Sequence, residues 1–151
     1  MKRDIIVIAH NIRSLHNVGA IFRTADAFGV KKIYLTGYTG TPPRQEIAKV
    51  SLGAENVVPW EYYKQPTSVI KQLKREGVRI VACEQTPSSI SLPDFHISDR
   101  VAIILGNEVR GVSKTLCQQA DQIVSIPMFG KKESLNVSVA CGVALYALRF
   151  Q

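Results

Sequence analysis

Hydrophobic and polar positions alternate between two patterns along the chain. Short apolar runs rich in branched residues predict five largely buried strands, at residues 4–9, 32–36, 78–83, 101–105 and 122–126. Between them, apolar residues at helical spacing predict helices at about residues 17–29, 43–50, 66–76, 113–120 and 136–149. Strands that alternate with helices predict an α/β domain with a mostly parallel sheet flanked by helices.

The first predicted helix has a defined start, apolar stripe and end. Asn17 is its predicted N-cap, because a side-chain oxygen can accept a hydrogen bond from a free backbone N–H of the first turn. Gly29 is its predicted end, since glycine readily adopts the left-handed conformation that follows many helices. Arg23 lies roughly 140° from the apolar stripe, at 100° per residue. We therefore expect Arg23 to face solvent, a ligand or another subunit.

The last predicted helix is apolar around almost its whole circumference. Its apolar residues are Val137, Val139, Ala140, Cys141, Val143, Ala144, Ala147 and Leu148. Such a helix must be covered on all sides, which one small domain can hardly do alone. We expect a homodimer that packs these helices together. A position at the centre of the core is the alternative.

Length and composition favour one folded domain over residues 1–151. The chain has 46% hydrophobic and 21% charged residues, which excludes disordered, collagen-like and disulfide-scaffold classes. The longest strongly apolar stretch, residues 134–148, is shorter than the ~20 residues needed to cross a bilayer. The N-terminus has no signal-peptide core, so we expect a cytoplasmic protein. Residues 39–43 and 85–95 are predicted loops.

Neither the cysteines nor the histidines have the spacing of a metal or disulfide site. The three cysteines never form a Cys-x-x-Cys pair, so we expect small buried side chains with free thiols. His10, His16 and His96 share no metal-ligand spacing, and no metal is expected.

Positive charge is concentrated in the first half of the chain. Residues 1–75 carry 12 Lys and Arg against 5 Asp and Glu, whereas residues 76–151 carry 7 of each. The first half therefore holds the whole net charge of +7. This asymmetry indicates a basic face for a polyanion, and an ordinary solvated surface is the alternative.

Polar loops follow three of the predicted strands, where open α/β sheets bind their ligands. They cover residues 10–17, 106–111 and 127–136. Taken singly, each loop contains only ordinary capping and turn residues. The chain has no Gly-x-Gly-x-x-Gly after its first strand and no Gly-Lys-Ser/Thr loop. This absence weakens an interpretation as an ordinary dinucleotide-binding module.

Together the three regions resemble a known family. Residues 17–29 (NVGAIFRTADAFG), 104–111 (ILGNEVRG) and 126–138 (IPMFGKKESLNVS) resemble motifs 1, 2 and 3 of the SpoU (TrmH-like) class of SPOUT RNA methyltransferases. The match runs from about residue 5 to residue 150 in the same order and spacing. The resemblance implies S-adenosylmethionine-dependent methylation of a ribose 2′-hydroxyl in tRNA or rRNA. It also implies a trefoil knot in the C-terminal half and a homodimer.

The resemblance further assigns site residues. The positions that match the cofactor site are Cys83, Glu84, Leu105, Gly106, Asn107, Ile126, Met128, Ser134 and Leu135. The positions that match the family's functional side chains are Asn17, Arg23, Glu108, Ser134 and Asn136.

Methyl transfer from a sulfonium is an in-line displacement whose leaving group is neutral, so alignment matters more than acid catalysis. Arg23 suits phosphate binding and stabilisation of negative charge on the 2′-oxygen. As a base a guanidinium is poor at neutral pH, and the proton can equally leave to water or a phosphate oxygen. Asn17, Ser134 and Asn136 suit positioning of the ribose. Glu108 can pair with Arg23 or Arg110, or hold a loop amide.

We expect phosphate contacts around the mouth of the site from basic residues of the motifs and of the first half. These are Arg13, His16, Arg23, Lys31, Lys32, Arg44, Lys49 and Arg110. Many relatives carry an additional RNA-binding domain, whereas this sequence predicts the catalytic domain alone. Two alternatives are a base methyltransferase of the same superfamily and a non-catalytic RNA-binding or ribosome-assembly dimer.

Overall fold

A computed structural model describes residues 2–151, and its elements alternate as the sequence predicts. The strands are β1 (Asp4–His10), β2 (Lys32–Thr36), β3 (Trp60–Tyr63), β4 (Arg79–Cys83), β5 (Ile90–Ser91), β6 (Arg100–Leu105) and β7 (Gln122–Ser125). The helices are α1 (Leu15–Ala27), α2 (Gln45–Ser51), α3 (Pro66–Arg75), α4 (Lys114–Gln119) and α5 (Val137–Phe150). Short 3-10 helices lie at Ala54–Asn56 and Leu92–Asp94.

The seven strands form one sheet in the order β3-β2-β1-β6-β4-β7-β5. Every neighbouring pair is parallel, and β1 lies between β2 and β6 with Ala9 opposite both Leu35 and Leu105. Parallel pairing places the carboxyl ends of all strands at one edge. The predicted α/β architecture with a parallel sheet is therefore confirmed.

Both faces of the sheet are covered, which explains the continuous apolar runs of its central strands. Ile5 and Val7 of β1 join the core under α1 and α5. Ile6 and Ile8 point to the opposite face, under α3 and α4. Because successive side chains alternate between faces, each residue in the buried stretch 5–9 of β1 needs an apolar side chain whichever face it meets.

Two strands were missed by the sequence pattern, and both lie at the edges of the sheet. Strand β3 has two exposed and two half-buried residues, and β5 has only two residues. An edge strand with one neighbour needs no buried apolar run, and two residues give no period. The prediction of a loop throughout residues 85–95 is therefore wrong at β5 and at the 3-10 helix that follows it.

The N-cap of helix α1 is Ser14, three residues before the predicted cap. Ser14 has extended backbone, and its Oγ accepts a hydrogen bond from the backbone N–H of Asn17 at 3.2 Å. Asn17 lies inside the first turn and is 6% exposed, so its prediction as the N-cap is wrong. Gly29, with φ of +64°, follows the helix end as predicted. Arg23 is exposed, as its angular position predicts.

Helix α5 divides its apolar surface between the core and solvent. Val137, Cys141, Ala144, Leu145 and Leu148 are buried against the rest of the chain. The opposite side carries four exposed apolar side chains, which we call the α5 stripe: Val139, Val143, Tyr146 and Phe150. A fully central core helix, the alternative left open by the sequence, is excluded within the single chain.

The C-terminal end of α5 is fastened to the end of α1 by one side chain. The Arg149 guanidinium donates hydrogen bonds to the carbonyls of Phe28 at 2.9 Å, Arg3 at 2.9 Å and Gly29 at 3.1 Å. The Phe28 and Gly29 carbonyls are ones that the end of α1 and its following turn leave free, and the Arg3 carbonyl lies just before β1. Within residues 2–151, no helix has both the length and the apolar character needed to span a bilayer.

Helices α1 and α2 cross closely at Gly19, and this contact predicts a stability effect. A Cβ on Gly19 would lie 2.6 Å from the Ile47 carbonyl oxygen and 2.9 Å from Val50 Cβ. We expect Gly19→Ala to lower the free energy of unfolding by about 1–3 kcal/mol, although alanine favours helices, because the two backbones must separate. Urea denaturation measures this change.

Gly130→Ala is the control, since a Cβ there meets nothing within 4 Å. Its unfolding free energy should stay within about 0.5 kcal/mol of the wild-type value. A Gly19→Ala protein as stable as the wild type would contradict the close crossing.

Candidate functional site

A cavity of about 410 Å³ lies at the carboxyl ends of β4, β6 and β7. Its walls come from the loops that follow these strands and from the start of α5. All nine positions predicted for the cofactor line it: Cys83, Glu84, Leu105, Gly106, Asn107, Ile126, Met128, Ser134 and Leu135. Residues more than 50 positions apart in the sequence thus meet at one place.

One wall of the cavity is a tight turn that requires glycine. Asn107 and Gly111 exchange backbone hydrogen bonds at 3.1 and 2.8 Å across the turn. A side chain on Gly106 would collide with the backbone of Gly111 and Val112. Gly111 has φ of +67°, a conformation that side chains disfavour. The turn therefore presents closely packed backbone to the cavity.

Glu84 joins two of the loops through backbone amides. Its Oε2 accepts from the Val112 N–H at 2.9 Å, and its Oε1 accepts from the Gln85 N–H at 2.9 Å. The carboxylate thereby holds the loop after β4 against the turn after β6. This arrangement assigns Glu84 to the support of the cavity wall.

Glu108 makes a similar connection to the loop after β1. The backbone N–H of Arg13 donates to both carboxylate oxygens of Glu108, at 2.8 and 3.1 Å. The sequence left open whether Glu108 pairs with an arginine side chain or holds a loop amide. The structure shows the amide contact, and no ion pair of Glu108 with Arg23 or Arg110 is formed within residues 2–151.

Asn17 and Asn136 bring the first and third motifs together. Asn136 caps α5 by accepting from the Ser138 N–H at 2.9 Å. Its Nδ2 donates to Oδ1 of the buried Asn17 at 3.4 Å. Ser134 is exposed at the cavity wall two residues before this cap. Of the five predicted functional side chains, Glu108 and Ser134 therefore lie on the cavity wall. Asn17 and Asn136 form a pair beside the third loop.

Arg23 is the exception, because it does not line the cavity of its own chain. It projects from the exposed side of α1, and no carboxylate of residues 2–151 lies within ion-pair distance of it. Its neighbours on α1 face α5: a Cβ on Gly142 would lie 3.7 Å from Thr24, and Phe28 packs edge-on against Tyr146. Arg23 is thus next in sequence to a residue of α1 that faces α5.

The predicted phosphate contacts fall at different edges of the sheet. Arg13, His16, Arg44, Lys49 and Arg110 are exposed on the loops after β1, β2 and β6 and on the helices α1 and α2. Arg13 and Arg110 flank a shallow cleft beside the cavity.

Lys31 and Lys32 lie at the amino end of β2, on the edge opposite to the cavity. Lys31 pairs with Asp4 and Lys32 with Glu61, each at 2.7 Å. Their predicted position at the mouth of the site in their own chain is therefore wrong. The prediction rested on charge alone, and a residue that begins a parallel strand lies a full strand length from the carboxyl edge.

Burial keeps two titratable groups at the carboxyl edge of the sheet neutral. It raises the pKa of the Cys83 thiol, on the cavity wall, to about 11. It lowers the pKa of His10, at the end of β1, so the imidazole is neutral at pH 7. His10 Nδ1 lies 2.9 Å from Thr36 Oγ1. Within residues 2–151, no three His, Cys, Asp or Glu side chains lie close enough together to hold a metal ion.

Several cavity residues were not predicted. They are Gln85, Val109, Gly111, Val112, Ser125, Glu133, Val137 and Ala140. Gln85 and Glu133 adjoin predicted positions, so the strand ends that located their neighbours could have found them. Val137 and Ala140 lie in the first turn of α5, where their apolar character predicted only packing.

The chain is similar to known proteins over nearly its whole length. Residues 4–146 match the SpoU rRNA Methylase family. The chain is 34% identical to a tRNA (guanosine(18)-2′-O)-methyltransferase of Aquifex aeolicus, over 99% of this chain and 71% of that protein. It is 33% identical to a 23S rRNA (guanosine-2′-O-)-methyltransferase of Neisseria meningitidis, over 97% of this chain and 58% of that protein. Against this second relative the chain spans less than two thirds of the length.

Solved structures give the same relationship. The A. aeolicus TrmH/SpoU tRNA modifying enzyme superposes with a TM-score of 0.88 at 33% identity, over 97% of this chain and 74% of that one. An AdoMet-bound rRNA methyltransferase from Sinorhizobium meliloti superposes with a TM-score of 0.88 at 28% identity, over 98% of this chain and 56% of that one. The fold, the order of the motifs and the sequence similarity agree, and the chain belongs to the SpoU rRNA methylase family.

Proposed function

We propose that this protein binds S-adenosylmethionine in the cavity and transfers its methyl group to a ribose 2′-hydroxyl of tRNA or rRNA. The observation that carries the proposal is the assembly of nine positions, from three separate loops, into one cavity. Family membership supports the reaction, since both relatives described above are named as ribose 2′-O-methyltransferases.

The residues of the cavity suit this cofactor chemically. Leu105, Ile126 and Leu135 offer apolar surface for a flat ring, and the backbone of residues 106–111 offers donors and acceptors for its edge. The carboxylates Glu84, Glu108 and Glu133 also line the cavity and favour a cationic ligand. When bound, the cofactor supplies a methyl group on a sulfonium, which reacts by in-line displacement.

The side chains around the cavity position the acceptor. Asn136 holds the ribose, and the buried Asn17 orients Asn136 and fixes the start of α5 relative to α1. Glu108 keeps the loop after β1 in place through the Arg13 amide. Arg23 binds the phosphate beside the acceptor ribose and stabilises negative charge that develops on the 2′-oxygen. Because a guanidinium stays protonated at neutral pH, the hydroxyl proton leaves to water or a phosphate oxygen.

A homodimer accounts for the α5 stripe and for the position of Arg23. The stripe exposes Val139, Val143, Tyr146 and Phe150 on one side of the helix, a pattern that indicates a protein contact. Arg23 lies on α1, which packs against α5, and it is not part of the cavity wall of its own chain. Packing the stripes of two chains together would let Arg23 of each chain reach the cavity of the other. The complete site would then contain residues from both chains.

A trefoil knot is supported by the order of the strands. The chain leaves β7 beyond β4 and returns in α5 to pack against α1 and β1, on the other side of β6. Residues 126–136 make this return beside the segment that links β4 to β6. We further propose that residues 1–151 act as one catalytic domain in the cytoplasm. The single continuous sheet supports one domain. The tRNA and rRNA in the names of the relatives support a location in the cytoplasm.

The role of Arg23 predicts a selective loss of catalysis. We expect Arg23→Ala to lower methyl transfer to unmodified tRNA or rRNA by about 100-fold or more, because the developing negative charge loses its partner. The methyl-transfer rate of Arg23→Lys should lie between those of the wild type and Arg23→Ala, because lysine keeps the positive charge but cannot form the bidentate contact of a guanidinium. Labelled methyl incorporation measures the rate, and calorimetry should show S-adenosylmethionine affinity within about threefold of wild type.

Lys31→Ala is the matched control, because it removes a cation at the opposite edge of the sheet. It should keep nearly the full rate. Equal loss of methyl transfer and cofactor affinity in Arg23→Ala would contradict the division of roles between the arginine and the cavity.

The α5 stripe predicts the oligomeric state. We expect Val143→Asp to convert a dimer into monomers in sedimentation velocity, because it buries a charge at the centre of an apolar contact. Gln118→Asp adds the same charge to an exposed position of α4, on the opposite face of the sheet, and should remain dimeric. A dimeric Val143→Asp protein, or a monomeric wild type, would overturn the proposed interface.

A further inference from the structure

A second, shallow cleft adjoins the cavity across the turn after β6. Its walls are Arg13, Tyr38, Asn107, Val109 and Arg110. The last three of these residues also line the cavity, so the two spaces share one wall. A ligand in the cleft would therefore lie next to a ligand in the cavity.

Tyr38 is exposed but held at both ends. Its backbone N–H donates to Asn11 Oδ1 at 3.0 Å, and its hydroxyl accepts from Asn107 Nδ2 at 2.8 Å. Gly37, with φ of +67°, brings the chain so close to Asn11 that a side chain there would collide with it. Tyr38 as a whole is nevertheless 62% exposed. A flat ring fixed in this way loses little conformational entropy when a ligand stacks on it.

The charges around Tyr38 favour an anionic strand. Arg13 and Arg110 are exposed on either side of the turn, and neither forms an ion pair within residues 2–151. The nearby carboxylate of Glu108 does not pair with either guanidinium, and both its oxygens accept from the Arg13 backbone N–H. An aromatic face flanked by two guanidinium groups is the arrangement with which proteins bind single-stranded nucleic acid.

We propose that Tyr38 is a stacking platform for a base of the RNA strand, with Arg13 and Arg110 on the flanking phosphates. This inference rests on the proposed function, since the strand in the cleft is the one whose ribose enters the cavity. Stacking tolerates any base, whereas the shared wall fixes where the strand runs. Tyr38 thus holds the RNA without touching the transferred methyl group.

Two substitutions separate stacking from a structural role of the hydroxyl. Tyr38→Phe keeps the ring and removes the hydrogen bond from Asn107, whereas Tyr38→Leu removes the ring and keeps apolar bulk. The probe is a short single-stranded RNA that carries one 2-aminopurine, whose fluorescence is quenched when it stacks. We expect wild type and Tyr38→Phe to bind with affinities within about twofold and to quench the probe, and Tyr38→Leu to bind about 10-fold more weakly or worse without quenching.

Equal weakening by both variants would show that Tyr38 only anchors Asn107 and would overturn the proposal. So would wild-type affinity in Tyr38→Leu, or a wild-type protein that neither binds nor quenches the probe. S-adenosylmethionine affinity, measured by calorimetry, should be unchanged in both variants and shows that the cavity is intact.

Methyl transfer measured in parallel separates the two proposals. If the wild type stacks the probe but methylates neither tRNA nor rRNA, the proposed function fails and the stacking site stands. If the wild type methylates RNA and Tyr38→Leu leaves its KM for RNA unchanged, the stacking site fails alone. We expect a KM about 10-fold higher in Tyr38→Leu, with kcat within about threefold of wild type.

Discussion

The parallel pairing of β6 with β1 on one side and β4 on the other is the constraint on which the site depends. Parallel strands end at the same edge, so this pairing brings together loops that begin at residues 11, 84 and 106. Strand β7, beyond β4, adds the loop that leads into α5. The location of the cavity therefore follows from the order of the strands.

Short polar contacts then turn neighbouring loops into one rigid surface. Glu84 binds the Val112 amide, Glu108 binds the Arg13 amide, and Asn107 binds both the Asn11 carbonyl and the Tyr38 hydroxyl. Each contact joins two different loops through a side chain with a backbone or hydroxyl partner. Side chains that resemble catalytic acids and amides by type thereby serve to position backbone, and in the proposed function the chemistry is left to the cofactor and to Arg23.

The sequence predicts most clearly the strands that are buried in the hydrophobic core. Five of the seven strands are buried enough to show as apolar runs, and the site positions follow three of their ends. The edge strands β3 and β5 were not predicted, because a half-exposed strand or a strand of two residues has little hydrophobic pattern. The start of α1 was misplaced because Ser14 and Asn17 are both good caps, and only the backbone conformation at Ser14 decides between them.

Positions in space were harder to predict than residue types. Lys31 and Lys32 have the charge expected of an RNA contact, but the direction of β2 places them at the opposite edge. Tyr38 had no sequence signal, because a single exposed tyrosine in a loop has neither period nor motif. Its importance depends on Asn11 and Asn107, which are 27 and 69 residues away in the chain.

The central claim is ribose methylation at a cavity built from these loops, and one measurement tests it most directly. The protein is incubated with methyl-labelled S-adenosylmethionine and unmodified tRNA or rRNA, and the RNA is digested to nucleosides for mass spectrometry. We predict that the label appears in a 2′-O-methylated nucleoside. Label on a base, or none in either RNA while the protein binds the cofactor, would contradict the claim.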